Sequence, residues 1–439
     1  MRIRRSYLFT LAILCSLLVA PAARAANTIV MFRPDVVAAS KATQYGLLPY
    51  QVYSSGFSGF AANIDAVNLK LLKSDPDVVM IRTDRQRMYL PGAATHHTVG
   101  ATGPGFDTVS KSSGSSEKTP VEQISQITTR AMRRIGLLDS PTASVDGKGG
   151  KANVDIAVID TGIQSNHPDL NVAGGVNCSG SGRGWGDVEG HGTIVAGIAA
   201  AIDNSFGVVG AAPGARLWSV RAFDANNQAD DSSILCAINW VTDHAETIDV
   251  ANLSFTGTGS SDTHCGADND DVIHYAICRS VRKGVTYVAA AGNDGIRLDS
   301  VIPASYPEVI SVSAMVDSDG SPGGNGASDL CMSLPDDTFA PFSNYGRQVG
   351  LSAPGVCVSS TYIGSNVAVD SGTSYASPAV AGAAALWLTS PAGIAATKDK
   401  ERSTYPATVR KALLDARERT QLANDPDGIA EGVVSVRRF

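Results

Sequence analysis

An α/β protein with a mainly parallel sheet, helices on both its faces and a small α+β domain ahead of it is what this sequence predicts. Three observations carry the expectation. From about residue 121 onward, apolar strand runs without polar alternation recur between helical patterns, as strands do when neither face meets water. Two of the helical patterns, after His191 and after Ser374, consist of small residues around single polar groups. Finally, 439 residues with 44% hydrophobic and 18% charged content leave room for one large or two medium domains with a sizeable core.

The elements follow in chain order. Residues 1–25 have the three parts of a secretory signal: basic Arg2, Arg4 and Arg5, apolar Leu8 to Val19, and the small-x-small site Ala23-Arg24-Ala25. The apolar run is too short for a typical spanning helix, and no other run reaches about 18 apolar residues. The expected product is secreted, extracellular, free of the membrane once the signal is removed, and monomeric. Losing the signal takes four arginines and no acids, so 35 Lys+Arg become 31 against 42 Asp+Glu, a net of −11. An acidic exported chain argues against nucleic acid as a partner. Residues 26–90 read as the small α+β domain, with strands at Thr28–Phe32, Phe57–Ala62 and Asp77–Ile81 and a helix at Asp65–Lys73. Residues 91–120, rich in Gly, Ser, Thr and Pro, read as an exposed linker in which His96-His97 are solvated. Residues 121–439 form the main domain. Its strands are expected at Val154–Ile159, Leu217–Phe223, Val250–Phe255, Val285–Ala290 and Val309–Ser313. Its helices are expected near 191–202, 232–244, 269–283 and 406–416. Six cysteines remain after the signal, an even number that favours disulfides in an exported chain. Proximity suggests Cys265–Cys278 and Cys331–Cys357, leaving Cys178–Cys236, out of fifteen possible pairings.

Three motifs carry chemistry together. A buried strand ends in Asp160-Thr161-Gly162, where open α/β sheets collect functional groups. His191 opens a small-residue helix in Glu189-Gly190-His191-Gly192-Thr193. Ser374 follows a Gly turn in Gly372-Thr373-Ser374, where unpaired helix N–H groups and the positive dipole end suit a nucleophile that generates an oxyanion. Serine needs a base, imidazole titrates near neutrality, and the imidazole needs a carboxylate to fix its tautomer. Another reading takes Asp160-Thr161-Gly162 and Asp370-Ser371-Gly372 as an aspartic-protease dyad, but it leaves His191 idle and its second triplet runs into a helix. A third, a non-catalytic secreted homologue, predicts a missing group.

Asp, His and Ser in this chain order, with the Ala291-Gly292-Asn293 segment, resemble the subtilisin-like serine proteases over about 125–439. The resemblance implies a serine endopeptidase of subtilisin-like fold that cuts protein or peptide substrates through an acyl-enzyme. It makes Asp160, His191 and Ser374 the catalytic triad and gives the oxyanion hole to the Asn293 side chain with the Ser374 N–H. Loss of such a donor costs roughly 10²–10³ in turnover, a figure that comes from subtilisin itself. By the same resemblance Ser254, Phe255, Thr256 and Gly257 form an edge that pairs with extended substrate. Ala290, Ala291 and Gly292 form the opposite, uncharged wall. The resemblance also implies a structural Ca2+ held by Asp169, Asn204 and the carbonyls of Ile202, Phe206 and Val208, and a turn at Pro303 that accepts a cis bond. Residues 26–90 resemble the family's propeptide, which implies an intramolecular chaperone and inhibitor whose tail lies in the cleft, with maturation somewhere in 91–125. Tyr375, Ile194 and Ala379 depart from the family's usual Met, His and His.

Overall fold

The computed structural model describes residues 25–90, 124–182 and 184–439. The expected signal apart from Ala25, the expected linker with His96-His97, and nearly all of the expected maturation region lie outside the described residues. In the N-terminal unit, β1 (Ala26–Phe32), α1 (Ala38–Gln44), β2 (Pro49–Tyr53), β3 (Ser58–Ile64), α2 (Ala66–Lys73) and β4 (Val78–Thr83) build an antiparallel sheet in the order β2-β3-β1-β4. Asp65 starts α2 by accepting the Asn68 N–H at 2.8 Å, an N-cap contact. Along β1 the side chains alternate between two cores. Val30 and Phe32 pack with Ala38, Ala42 and Leu72, whereas Ile29 and Met31 join the cluster that holds Ile234, Ile238 and Ile273. The sequence reading lacks α1, β2 and a last strand, β5 (Gln86–Tyr89). Only Ala38 and Ala42 of α1 are buried, too thin a stripe for periodicity to register.

The main body runs α3 (Arg130–Arg134), β6 (Asp155–Asp160), β7 (Val172–Asn177), α4 (His191–Ala200), β8 (Arg216–Arg221), β9 (Gln228–Asp230), α5 (Asp231–Asp243), β10 (Val250–Leu253) and β11 (Thr256–Thr258). It continues through α6 (Val272–Val281), β12 (Thr286–Ala290), β13 (Val301–Ile302), β14 (Ile310–Met315), β15 (Val349–Pro354), β16 (Val358–Tyr362) and β17 (Asn366–Asp370) to α7 (Thr373–Thr389), α8 (Pro391–Thr397) and α9 (Tyr405–Ala416). Seven strands form a wholly parallel sheet in the order β15-β14-β12-β10-β6-β8-β7. The expected strands are the five interior ones, with ends moved by a residue or two. The unread members include β7, half-buried and containing Gly174-Gly175, and β15 at the other edge. β7 is only half-buried, and β15, though buried at all but Gly350, carries Gly350 and Ser352, so neither shows the continuous apolar run that marks an interior strand.

Alternate residues of each interior strand feed opposite faces. Ile156, Val158 and Val250 enter the cluster under α4 and α7, while Ala157, Ile159 and Ala251 enter the one under α5 and α6. α7 is buried from Thr373 to Trp387. Its small residues allow that depth: a Cβ on Gly382 would lie 2.5 Å from the Ala199 carbonyl oxygen of α4. No single helix among the described residues is long and apolar enough to cross a membrane. Disulfides join Cys178–Cys236, Cys265–Cys278 and Cys331–Cys357, with Cα separations of 5.6, 5.7 and 5.7 Å. The Ile302–Pro303 bond is cis.

Among the described residues the two units meet at the β2–β3 turn and along β5, and Arg82 of β4 also donates to the Asn269 carbonyl at 2.8 Å. The β2–β3 turn lies on α5, where Ser54 and Ser55 N–H donate to Asn239 Oδ1 at 3.1 and 2.9 Å, and Arg279 of α6 donates to the Gly56 carbonyl at 3.0 Å. β5 then enters a second, antiparallel sheet of order β13-β11-β5-β9, flanked on both sides by strands of the main body.

Candidate active site

β6 carries Asp160 to its carboxyl end and into a Gly turn, and α4 packs down on that turn. A Cβ on Gly192 would lie 2.0 Å from the Gly162 carbonyl oxygen, so the residue after His191 has to be glycine for the helix to approach. The close approach sets His191 Nδ1 at 2.8 and 3.0 Å from the two Asp160 oxygens. Asp160 is fully buried and also accepts the Thr161 N–H at 2.7 Å. The first turn of α4 is satisfied by Asp187, whose carboxylate accepts the Gly190 and Thr193 N–H groups at 2.8 and 2.9 Å, and by Glu189, which accepts the His191 N–H at 2.9 Å. Burial works to lower the His191 pKa. The charge and hydrogen bond of Asp160, with Glu189 and Asp370 behind it, outweigh that and hold it at about 9.

Ser374 is the second residue of α7, four before Pro378. Proline has no N–H to give the Ser374 carbonyl, so the helix leaves that oxygen open. Ser254 Oγ donates to it at 2.7 Å, and Ser374 Oγ donates back to the Ser254 carbonyl at 3.0 Å. Asn252 braces the pair: its Nδ2 donates to Ser254 Oγ at 2.8 Å and its Oδ1 accepts Ser377 Oγ at 2.8 Å. Asn252 is fully buried, so its Asn-Leu-Ser sequon is closed to glycosylation in the fold. His191 Nε2 is buried without a hydrogen-bond partner among the described residues. Asn293 Oδ1 accepts the Thr373 N–H and Oγ1–H at 2.9 and 2.8 Å. Its amide nitrogen lies 3.0 Å from where a Cβ on Gly372 would stand.

Asp160, His191, Ser374 and Asn293 thus converge on the carboxyl edge of the parallel sheet, with Ser254–Gly257 beside them. Phe255 turns its ring against Phe223, 5.2 Å between centroids, in the cluster that also takes Met88 and Leu90 of the N-terminal unit. Thr256 faces the other wall, its methyl 3.2 Å from where Gly292 would carry a Cβ. That wall is stitched to Asn344, which donates its Nδ2 to the Ala291 carbonyl and its N–H to the Gly292 carbonyl, both at 2.9 Å. Ala290 ends β12. Tyr375 is buried beneath His191, 5.5 Å between ring centroids, and donates its hydroxyl to Asp370 at 2.6 Å. The two Asp-Thr/Ser-Gly carboxylates are therefore committed separately, Asp160 to His191 and Asp370 to Tyr375. The sequence reading lacks Asp187 and the supporting roles of Asn252, Thr373 and Ser377. The Ser374–Pro378 spacing is the signal that could have shown the open Ser374 carbonyl to which Ser254 donates.

The expected ion ligands also gather. Asp169 is fully buried, and its carboxylate accepts the Asn204 Nδ2 at 2.8 Å and the Val208 N–H at 2.9 Å. Burial pushes this carboxyl up to about 7. The carbonyls of Ile202, Phe206 and Val208 accept no hydrogen bond among the described residues. Unsatisfied carbonyls beside a buried carboxylate fit a hard cation. Asn204 Oδ1 accepts the Phe206 N–H at 2.8 Å, which leaves its second lone pair for an ion. Gln126, which the sequence reading lacked, accepts the Asn204 N–H and supplies an amide from the segment preceding α3.

Residues 151–427 match the family model described as Subtilase family. The chain is 37% identical over 270 residues to the "Thermostable alkaline protease" of Halalkalibacterium halodurans, covering 62% of this chain and 65% of that protein. It is 36% identical over 278 residues to "Subtilisin DY" of Bacillus licheniformis, covering 62% of this chain and 90% of that protein. The match thus spans just under two thirds of the first relative's length and most of the second's. A solved structure of a cold adapted subtilisin-like serine proteinase aligns with TM-score 0.51 at 23% identity, over 67% of this chain and 96% of that one, and shows the shared fold.

Proposed function

The chain belongs to the subtilase family, and from that premise we propose that it is a secreted serine endopeptidase, made as a self-processing zymogen, which cleaves protein or peptide substrates. The observation that carries the reading is the buried pair of His191 Nδ1 and Asp160, 2.8 Å apart, whose imidazole turns its other nitrogen toward no partner. Asp160 holds the imidazole in the tautomer with a proton on Nδ1 and stabilises its cation. His191 Nε2 takes the proton from Ser374 Oγ, which leaves its bond to the Ser254 carbonyl and attacks the substrate carbonyl. The Asn293 amide and the Ser374 N–H receive the developing oxyanion. The protonated imidazole then gives its proton to the leaving amine, and water, activated by the same base, releases the acyl group from Ser374.

Residues 26–90 act as chaperone and inhibitor of the domain they fold against. Support comes from β5, which completes the sheet between β11 and β9 as an extended substrate would. Maturation cuts beyond Leu90, and a monomer acts alone outside the cell. Reaction of the mature enzyme with a serine-directed fluorophosphonate tests the reading. A single adduct on Ser374 with parallel loss of casein hydrolysis is expected, and an unlabelled Ser374 with hydrolysis intact refutes it.

Asp169, Gln126, Asn204 and the carbonyls of Ile202, Phe206 and Val208 hold a structural Ca2+. The ion neutralises the buried carboxylate and ties the 202–208 loop to the segment before α3. Chelation of the mature enzyme should lower its thermal midpoint by about 5 °C or more, as loss of a ligand present well above its dissociation constant does. Scanning calorimetry with and without chelator reads this directly, and an unchanged midpoint counts against the ion.

A further inference from the structure

Arg87 is the second residue of β5, between two strands of the main body, and its side chain is 10% exposed. Each of its three guanidinium nitrogens has a partner there. Nε donates to Asp231 Oδ1 and Oδ2 at 2.8 and 2.9 Å, Nη2 to Asp271 Oδ1 at 3.1 Å, and Nη1 to the Thr258 carbonyl at 3.3 Å. Three elements of the main body contribute: the start of α5, the N-cap of α6 and the end of β11. The Asp271 carboxylate is itself fixed, because its other oxygen accepts the Tyr306 hydroxyl at 2.7 Å and Oδ1 accepts the Ile273 N–H at 3.1 Å. Space is kept open too: a Cβ on Gly259 would lie 3.0 Å from Arg87 Nη1.

None of these groups belongs to residues 26–90, apart from the arginine. When that segment leaves, Asp231 and Asp271 stay behind, both built into helix starts and both 2% exposed or less while covered. Uncovered, the two carboxylates keep their charge and their places at the helix starts, and a planar five-donor fork is the group that their geometry fits. From this we infer that Asp231, Asp271 and the Thr258 carbonyl form a guanidinium subsite of the substrate cleft, which Arg87 fills in the zymogen and an arginine side chain of a substrate fills in the mature enzyme. The strand register places it: Tyr89 pairs with Thr256 and Met88 with Gly257. The favoured arginine therefore lies two residues before the one opposite Thr256. This rests on the endopeptidase reading and adds a substrate class to it, extended peptides with arginine upstream of the cut.

The test uses mature enzyme released from the full chain and quenched peptides carrying the Gln86–Leu90 sequence ahead of the scissile bond. The Arg87 position holds either arginine or citrulline, which keeps the shape and removes the charge. Charge-assisted bonds to buried carboxylates predict a kcat/KM for arginine about tenfold to a hundredfold higher. An Asp231→Asn enzyme should bring the arginine peptide down toward the citrulline one. If that variant fails to fold, the two peptides on unaltered enzyme still decide. Equal kcat/KM for the two overturns the subsite while leaving the protease reading in place. Cleavage of neither overturns the protease reading and the subsite with it.

Discussion

Replacing Ser374 by alanine should abolish peptide hydrolysis and leave the chain unprocessed at its full, signal-free length. The loss expected is about 10⁶ in turnover, the size found when subtilisin itself loses its nucleophile. The fold should survive. Ser374 is 1% exposed, and its hydroxyl makes one described bond, to the Ser254 carbonyl. Losing that bond costs about 1 kcal/mol, and alanine is the better helix former. Intact mass and casein hydrolysis read the chemistry, and the thermal midpoint reads the fold. A variant that still matures and still turns over casein would refute the assignment of Ser374, whatever the fate of the other groups.

Asp160→Asn should cost about 10⁴ in kcat, because an amide that donates to Nδ1 stabilises the tautomer whose Nε2 already carries the proton. It should also move the pH profile. The base must be neutral to accept a proton, so kcat/KM rises as pH passes through the His191 pKa. Asp160 is the main group raising that pKa, from 6.5 to about 9, against the lowering effect of burial. The unaltered enzyme should therefore gain activity across the alkaline range. The variant, left with burial and more distant charges, should have its residual activity rise at lower pH. An unchanged acid limb in Asp160→Asn would mean that this carboxylate does not set the charge of His191.

Much of this arrangement was legible from local pattern. Val154 to Ile159 could only be a strand buried on both faces, and Asp160 at its end could only face the sheet's carboxyl edge. The small residues after His191 and Ser374 announced helices that sit close to other backbone. Strands at the sheet's edges were not legible: β7 contains two glycines, β15 a glycine and a serine, and both owe their conformation to the strand beside them. The same holds for β5. Gln86-Arg87-Met88-Tyr89 has little strand pattern of its own, and becomes a strand because β11 and β9 offer it unpaired edges on both sides.

By itself, then, the sequence determined the fold class, a parallel sheet with helices on both faces, and it named the four groups proposed to react. Periodicity and turn chemistry are properties of short windows, and the Asp, His, Ser and Asn motifs lie within such windows. Tertiary structure alone decided the partners. Asp187 satisfies the start of α4, Asn252 braces Ser254 against Ser374, Gln126 joins the loop below Asp169, and Arg87 finds Asp231 and Asp271 across 144 and 184 residues of chain. The physical reason is the same in each case. A buried polar group must be satisfied by whatever the packed backbone brings within about 3 Å, and sequence distance says nothing about which group that is.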